Sequence, residues 1–159
     1  MISKEQGQEI LNQAVLSGEW SYTYGNTKWG EPALGERAGD CKDFTYSAVS
    51  SALGNAWAGG RYNTEAFNDP SSPPKGYTGV ERSAMQPGDV VVQGGHMGIV
   101  AGRRANGAVI AWQNGGSPAT GPNAVGYRDS RTRGAPFSST PGQGWFGTAS
   151  VYVYRPLKQ

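Results

Sequence analysis

One cysteine and one histidine stand in 159 residues, and no stretch is long and apolar enough to cross a bilayer. A single cysteine excludes an intramolecular disulfide, and one Cys with one His cannot build an ordinary structural zinc site. Neither a metal nor an organic cofactor is expected. Charge of one sign is also scarce: 14 Lys and Arg against 12 Asp and Glu leave a formal net charge of +2. That balance is too mild to imply nucleic acid, and no dense basic patch with interleaved aromatics occurs. The Arg103-Arg104 pair and the Arg128, Arg131, Arg133 cluster read as solvated loops that could meet an anionic polymer such as cell wall. The first residues, Met1-Ile2-Ser3-Lys4-Glu5-Gln6, offer neither a basic n-region nor an apolar h-region. The expectation is a chain made in the cytoplasm without a signal peptide, with no membrane span, that reaches any outside site of action by another route.

Glycine and proline are plentiful instead, 25 and 10 residues. They fall between patterned segments rather than in one low-complexity run, which predicts a loop-rich fold and not disorder. The length suits one domain over residues 1–159. A first helix is expected over 3–16, where Ser3 and Gln6 make a capping-box pair, Ile10, Leu11, Ala14 and Val15 a narrow apolar stripe, and Gly18 a stop. Residues 19–39 are aromatic and turn-rich. A second helix is expected over 41–53, where Phe44, Ala48 and Ala52 with the neighbouring row Thr45, Val49 and Leu53 make an apolar face and Gly54 a stop. A long loop is expected over 54–88 with one helical turn near 63–67. Strands are expected over 89–93, 96–102, 108–113, 124–128 and 148–155, with Asn106-Gly107 a hairpin turn and a long loop over 129–147. Helices followed by an antiparallel meander make an α+β fold, with the second helix packed on one sheet.

The second helix carries the chemistry. Asp40 is a good N-cap and Asp43 stands where an acid completes a capping box, so Cys41 falls at the first helical position. There the unpaired N–H groups and the positive end of the dipole favour thiolate, and Lys42 adds charge. A lone Cys on the apolar face of Phe44 and Ala48 is equally a small buried hydrophobe. The only His opens a strand, Gly94-Gly95-His96-Met97-Gly98-Ile99-Val100, 55 residues later. Amide hydrolysis by a thiol needs a thiolate, an imidazole in reach of it, and a polar group to orient that imidazole.

Taken with their flanks, Asp40-Cys41-x-x-Phe44, Met85-Gln86-Pro87-Gly88-Asp89-Val90-Val91 and His96-Met97-Gly98-Ile99-Val100 resemble the NlpC-like and CHAP cell-wall hydrolases of the papain-like superfamily. In those families an Asp-Cys helix start, a Leu-x-Pro-Gly-Asp-Leu-Val turn and strand, and a Gly-His-Val-Gly-Ile strand follow in this order. The resemblance covers roughly residues 20 to 115. It implies a papain-like α+β fold, with Cys41 as nucleophile and His96 as general base. It also implies a third residue that orients His96. NlpC-like members tend to have a second His, which this chain lacks. CHAP members tend to have Glu-Gln-Asn where Trp112-Gln113-Asn114 stands, so Asn114 is the matching residue. Strand register leaves Gln113 as the alternative, since a two-residue Asn106-Gly107 turn would set Val100 opposite Gln113. Lys42-Asp43 replaces the usual Ser-Gly after the cysteine. Tyr24, with Tyr22 as alternative, and Asp40 are expected on the oxyanion and substrate side. Asp89 reads as the turn acid that opens a strand.

The activity implied is cleavage of an amide of the peptidoglycan stem peptide through a thioester, by a monomer. Without an export signal such a chain resembles a type VI secretion amidase effector, with an immunity protein as partner and the periplasm or cell wall as site of action, or a phage lysin. A deamidase or transglutaminase-type toxin acting on a protein glutamine is the alternative, using the same two residues. A binding module with a decayed site is the third reading.

Overall fold

Ser3 and Gln6 cap the first helix reciprocally. The Ser3 N–H donates to Gln6 Oε1 at 2.9 Å and the Gln6 N–H donates to Ser3 Oγ at 3.1 Å. Helix α1 then runs Lys4–Leu16 and buries Ile10, Leu11 and Ala14. The computed structural model describes residues 1–16, 21–22, 38–39, 41–93, 96–103, 109–113, 126–127 and 151–158. Helix α2 spans Cys41–Leu53 and buries Phe44, Thr45, Ala48, Val49 and Leu53, the two rows expected from its helical period. Gly54 follows at φ 53 and ends α2 as a C′ glycine does, opening the 3-10 turn Gly54–Ala56.

The strands are β1 (Ser21–Tyr22), β2 (Ala38–Gly39), β3 (Tyr77–Val80), β4 (Val90–Gln93), β5 (His96–Arg103), β6 (Val109–Gln113), β7 (Gly126–Tyr127) and β8 (Tyr152–Pro156). Strands β3 to β8 form one antiparallel sheet in the order β3-β8-β4-β5-β6-β7, and β1 and β2 form a small parallel pair. The fold is therefore α+β, as expected.

Strand alternation sorts the core into two layers. Val90, Val92, Met97 and Ile99 join Cys41, Phe44, Val49 and the buried residues of α1 on the helix side. Val91, Val100, Val109, Ala111, Val151 and Val153 form a second cluster. A valine run such as Val90-Val91-Val92 is what a strand buried on both faces requires. Each large aliphatic or aromatic side chain enclosed this way contributes about 1.5–3 kcal/mol, so Ile10, Phe44 and Ile99 anchor the helices to the sheet.

The turn Gln86-Pro87-Gly88-Asp89 ties the layers together. Asp89 N–H donates to Gln86 O at 3.1 Å, while Gln86 N–H donates to Asp89 Oδ2 at 2.8 Å. Arg155 of β8 grips the same carboxylate through Nε at 2.8 Å and Nη2 at 2.9 Å. Asp89 thus has the structural role expected of it. Gly88 sits at φ 91 with its Cα pressed on the Gly7 backbone of α1, leaving no room for a Cβ at either residue.

Three expectations are corrected. The C-terminal strand does not close the meander at its edge; β8 lies between β3 and β4 and pairs with both. The long loop of 54–88 has the helical turn expected near 63–67, at Thr64–Phe67, but also strand β3 and a further 3-10 turn at Arg82–Ala84. Trp57 Nε1 donates to Gly76 O at 3.0 Å, and Phe67 packs edge-on to Tyr77 and Tyr154 with centroids 5.1 and 5.0 Å apart. That segment is held by aromatic contacts. Finally, residues 21–22 and 38–39 are paired strands within what reads as aromatic turns. The loop expected over 129–147 lies outside the described residues.

Candidate active site

Cys41 is the first residue of α2, where the sequence places it, and is 6% exposed. Its thiol belongs to the helix-side core with Phe44 and Met97. His96 is the first residue of β5 and is 4% exposed. It pairs across the ladder with Gln93. Helix α2 packs directly on β5, so the fold brings together the two elements that carry the thiol and the imidazole.

Strand alternation adds a constraint. Met97 and Ile99 face the helix side, so position 96 falls in the row of Gly98 and Val100. Alternation alone thus turns position 96 away from the helix face, and a thiol–imidazole contact would have to pass around the starting end of β5 rather than across its face.

Tyr22 is a second arrangement that chain separation conceals. The parallel β1–β2 bridge sets Tyr22 opposite Gly39 and Ser21 opposite Ala38. The backbone of Tyr22 is thereby brought beside a residue only two positions before Cys41. Tyr24, Asp40 and Asn114 lie outside the described residues. Gln113 is the last residue of β6.

Register bears on the residue meant to orient His96. Val100 pairs with Ala111 and Ile99 with Trp112, not Val100 with Gln113 as a two-residue turn would give. Two irregularities produce the difference. Arg103 opposite Val109 and Gly102 opposite Ile110 are one residue out of step with a two-residue Asn106-Gly107 turn, and the bulge between Val100 and Gly102 adds a second step. Each step alone exchanges faces; together they restore the original parity.

Asp43, expected to complete a capping box, has a partner that the sequence does not announce. Its carboxylate accepts from Arg61 Nη1 at 2.6 Å, with side chains only 4% and 10% exposed. The guanidinium also stacks 5.2 Å above the Tyr46 ring. Arg61, in the segment after α2, carries no local sequence signal for this contact. The one hint was Lys42-Asp43 standing where the resembling families have Ser-Gly, which puts an acid on α2 that needs a partner.

Among the described residues no three His, Cys, Asp or Glu side chains gather as a metal site needs, and no helix is long and apolar enough to cross a membrane. A surface cavity of about 310 Å³ lies along α1, lined by Gln8, Glu9, Leu11, Asn12 and Leu16. It holds neither Cys41 nor His96, and its lining has no nucleophile. The chain matches no family model and no curated protein.

Proposed function

We propose that this protein is a papain-like cysteine hydrolase of the NlpC and CHAP type that cleaves an amide of the bacterial peptidoglycan stem peptide. The observation that carries this reading is the placement of the only cysteine at the first position of α2, against the strand that the only histidine opens. The helix N-terminus stabilises a thiolate there, and its free N–H groups suit an oxyanion.

In this mechanism His96 takes the thiol proton and Cys41 attacks the amide carbonyl. The Cys41 backbone N–H and a tyrosine, Tyr24 or Tyr22, bind the tetrahedral oxygen. Protonated His96 returns its proton to the leaving amine, and water, activated by the same imidazole, cleaves the thioester. No step requires a metal or organic cofactor. The setting proposed is a monomer acting in the periplasm or cell wall as an injected effector, with a cognate immunity protein as partner.

Digestion of purified peptidoglycan, with mass spectrometry of the released muropeptides, tests the reading. Wild-type protein should generate new amino ends at one stem-peptide amide. Cys41→Ala should generate none while melting within about 2 °C of wild type, because the change removes little volume at a helix start. Ammonia released from protein substrates, without muropeptide cleavage, would replace this reading by glutamine deamidation.

A further inference from the structure

Cys41 and Asp43 are two residues apart on α2, and both are buried. Two residues turn a helix by about 200°, so the two side chains leave it on opposite sides. The first turn is therefore enclosed twice: by the sheet core around Cys41 and by the 54–76 segment around Asp43. A carboxylate in a first turn suits the helix dipole. Beside a thiol that must ionise, however, it works against the chemistry, since a like charge within one turn raises a neighbouring pKa by about one unit or more. Arg61, at 2.6 Å from Asp43 and stacked on Tyr46, supplies the compensating charge.

We propose that Arg61 is a positioning residue for Cys41: by neutralising Asp43 inside the first turn of α2, it preserves the positive field in which the thiol reacts. The inference rests on Cys41 being the nucleophile of the proposed hydrolase. Other charged or titratable groups on the elements packed around that turn are few among the described residues. Lys42 is on α2 itself, His96 opens β5 with exposed Arg103 at its far end, and Lys4, Glu5 and Glu9 lie near or on the outer side of α1. The described part of β6 contributes none. Asp43 and Arg61 are thus the buried charges joined at the first turn of α2.

The test is the rate of Cys41 alkylation by iodoacetamide against pH, in the full chain and in Arg61→Gln, Asp43→Asn, the double variant and Arg61→Lys. Arg61→Gln should move the thiol midpoint up by about one pH unit, slowing alkylation about tenfold below it. Asp43→Asn should move it down. The double variant should return to within a few tenths of wild type, and Arg61→Lys should stay near wild type because the charge is kept. A pair that merely holds the fold would damage both single variants in the same direction. Same-sign shifts, or no shifts at unchanged melting temperature, overturn the proposal. Should Arg61→Gln fail to fold, an upward shift in Asp43→Asn overturns it equally, and a downward one supports it. Muropeptide release measured alongside separates the two readings. Opposite-sign shifts without wild-type cleavage would sink the cell-wall substrate alone, whereas cleavage without shifts would sink the role of Arg61 alone.

Discussion

Replacing Arg155 by methionine keeps the length of the side chain and removes the charge that faces Asp89. The carboxylate it leaves is fully buried, with the Gln86 N–H at 2.8 Å as its remaining donor from the turn. The guanidinium also donates to Ala84 O at 2.9 Å, so a second partner loses its bond. Breaking a buried pair by removing one member costs about 3–5 kcal/mol, a large part of the roughly 5–15 kcal/mol that a domain has. At about 2–4 °C per kcal/mol for a chain of this size, the melting temperature should fall by roughly 6–20 °C. The loss should also depend on pH. Burial, chiefly, pushes the Asp89 carboxyl above its ordinary range, against the pull of Arg155 and the Gln86 N–H. Without Arg155 the folded pKa climbs further above the unfolded value of about 3.9. Between those two values the folded variant holds a proton that the unfolded chain does not, so its stability rises as pH falls through the folded pKa. The deficit against wild type should therefore be largest near pH 8 and narrower near pH 5, read from urea unfolding at both. The double variant Asp89→Leu/Arg155→Met should lose less than Arg155→Met alone, because no charge is left buried without its counterpart. A deficit under about 1 kcal/mol, or one that does not change with pH, would show that the pair is not the clamp described here.

Gly7→Ala should lower the melting temperature by the equivalent of about 1–3 kcal/mol of overpacking, because the new Cβ meets the Pro87 carbonyl oxygen. Helix propensity alone predicts the opposite sign, so a more stable variant would refute the close approach of α1 to the turn. Truncation after Ser150 removes β8 and leaves β3 and β4 each without their shared neighbour. Circular dichroism should then show no cooperative melt, and a retained one would mean that the sheet closes without that strand.

What was legible in the sequence is what local patterns encode. The capping pair Ser3–Gln6, the two apolar rows of α2 and the turn Pro87-Gly88-Asp89 each rest on residues within one or two turns of one another, and the structure has all three. Strand β3 escaped because Tyr77-Thr78-Gly79-Val80 is short and carries a glycine. Gly79 is explained only by Pro70, whose carbonyl crosses where a Cβ would be. The insertion of β8 between β3 and β4, the Tyr22–Gly39 bridge and the Arg61–Asp43 pair are long-range matches that leave no periodicity behind. At the candidate site, the positions of Cys41 and His96 at the starts of their elements were readable. The face that each element turns to the other was decided by packing.

That distinction bears on which residue would orient His96. Family resemblance points to Asn114, and turn chemistry to Gln113. Asn106-Gly107 lies outside the described residues, and Arg103 opposite Val109 is one step away from the register that a two-residue turn would give. Yet the bulge between Val100 and Gly102 cancels that step, and Ala111 stands opposite Val100. Carried one residue beyond Ile99–Trp112, the ladder would put position 113 opposite Gly98, in the row of His96. Strand alternation, were it kept past Gln113, would give the next residue to the other row. Gln113→Ala should then lose about ten- to a thousand-fold in muropeptide release, on the scale of about 1.4 kcal/mol per decade for a misplaced base, with Cys41 still open to alkylation. Asn114→Ala should lose less than about threefold, under roughly 1 kcal/mol. The reverse order would mean that β6 leaves the ladder after Trp112 and that the resemblance, not the register, identifies the third residue. Equal and small losses would leave His96 held by backbone or water, and the site a dyad.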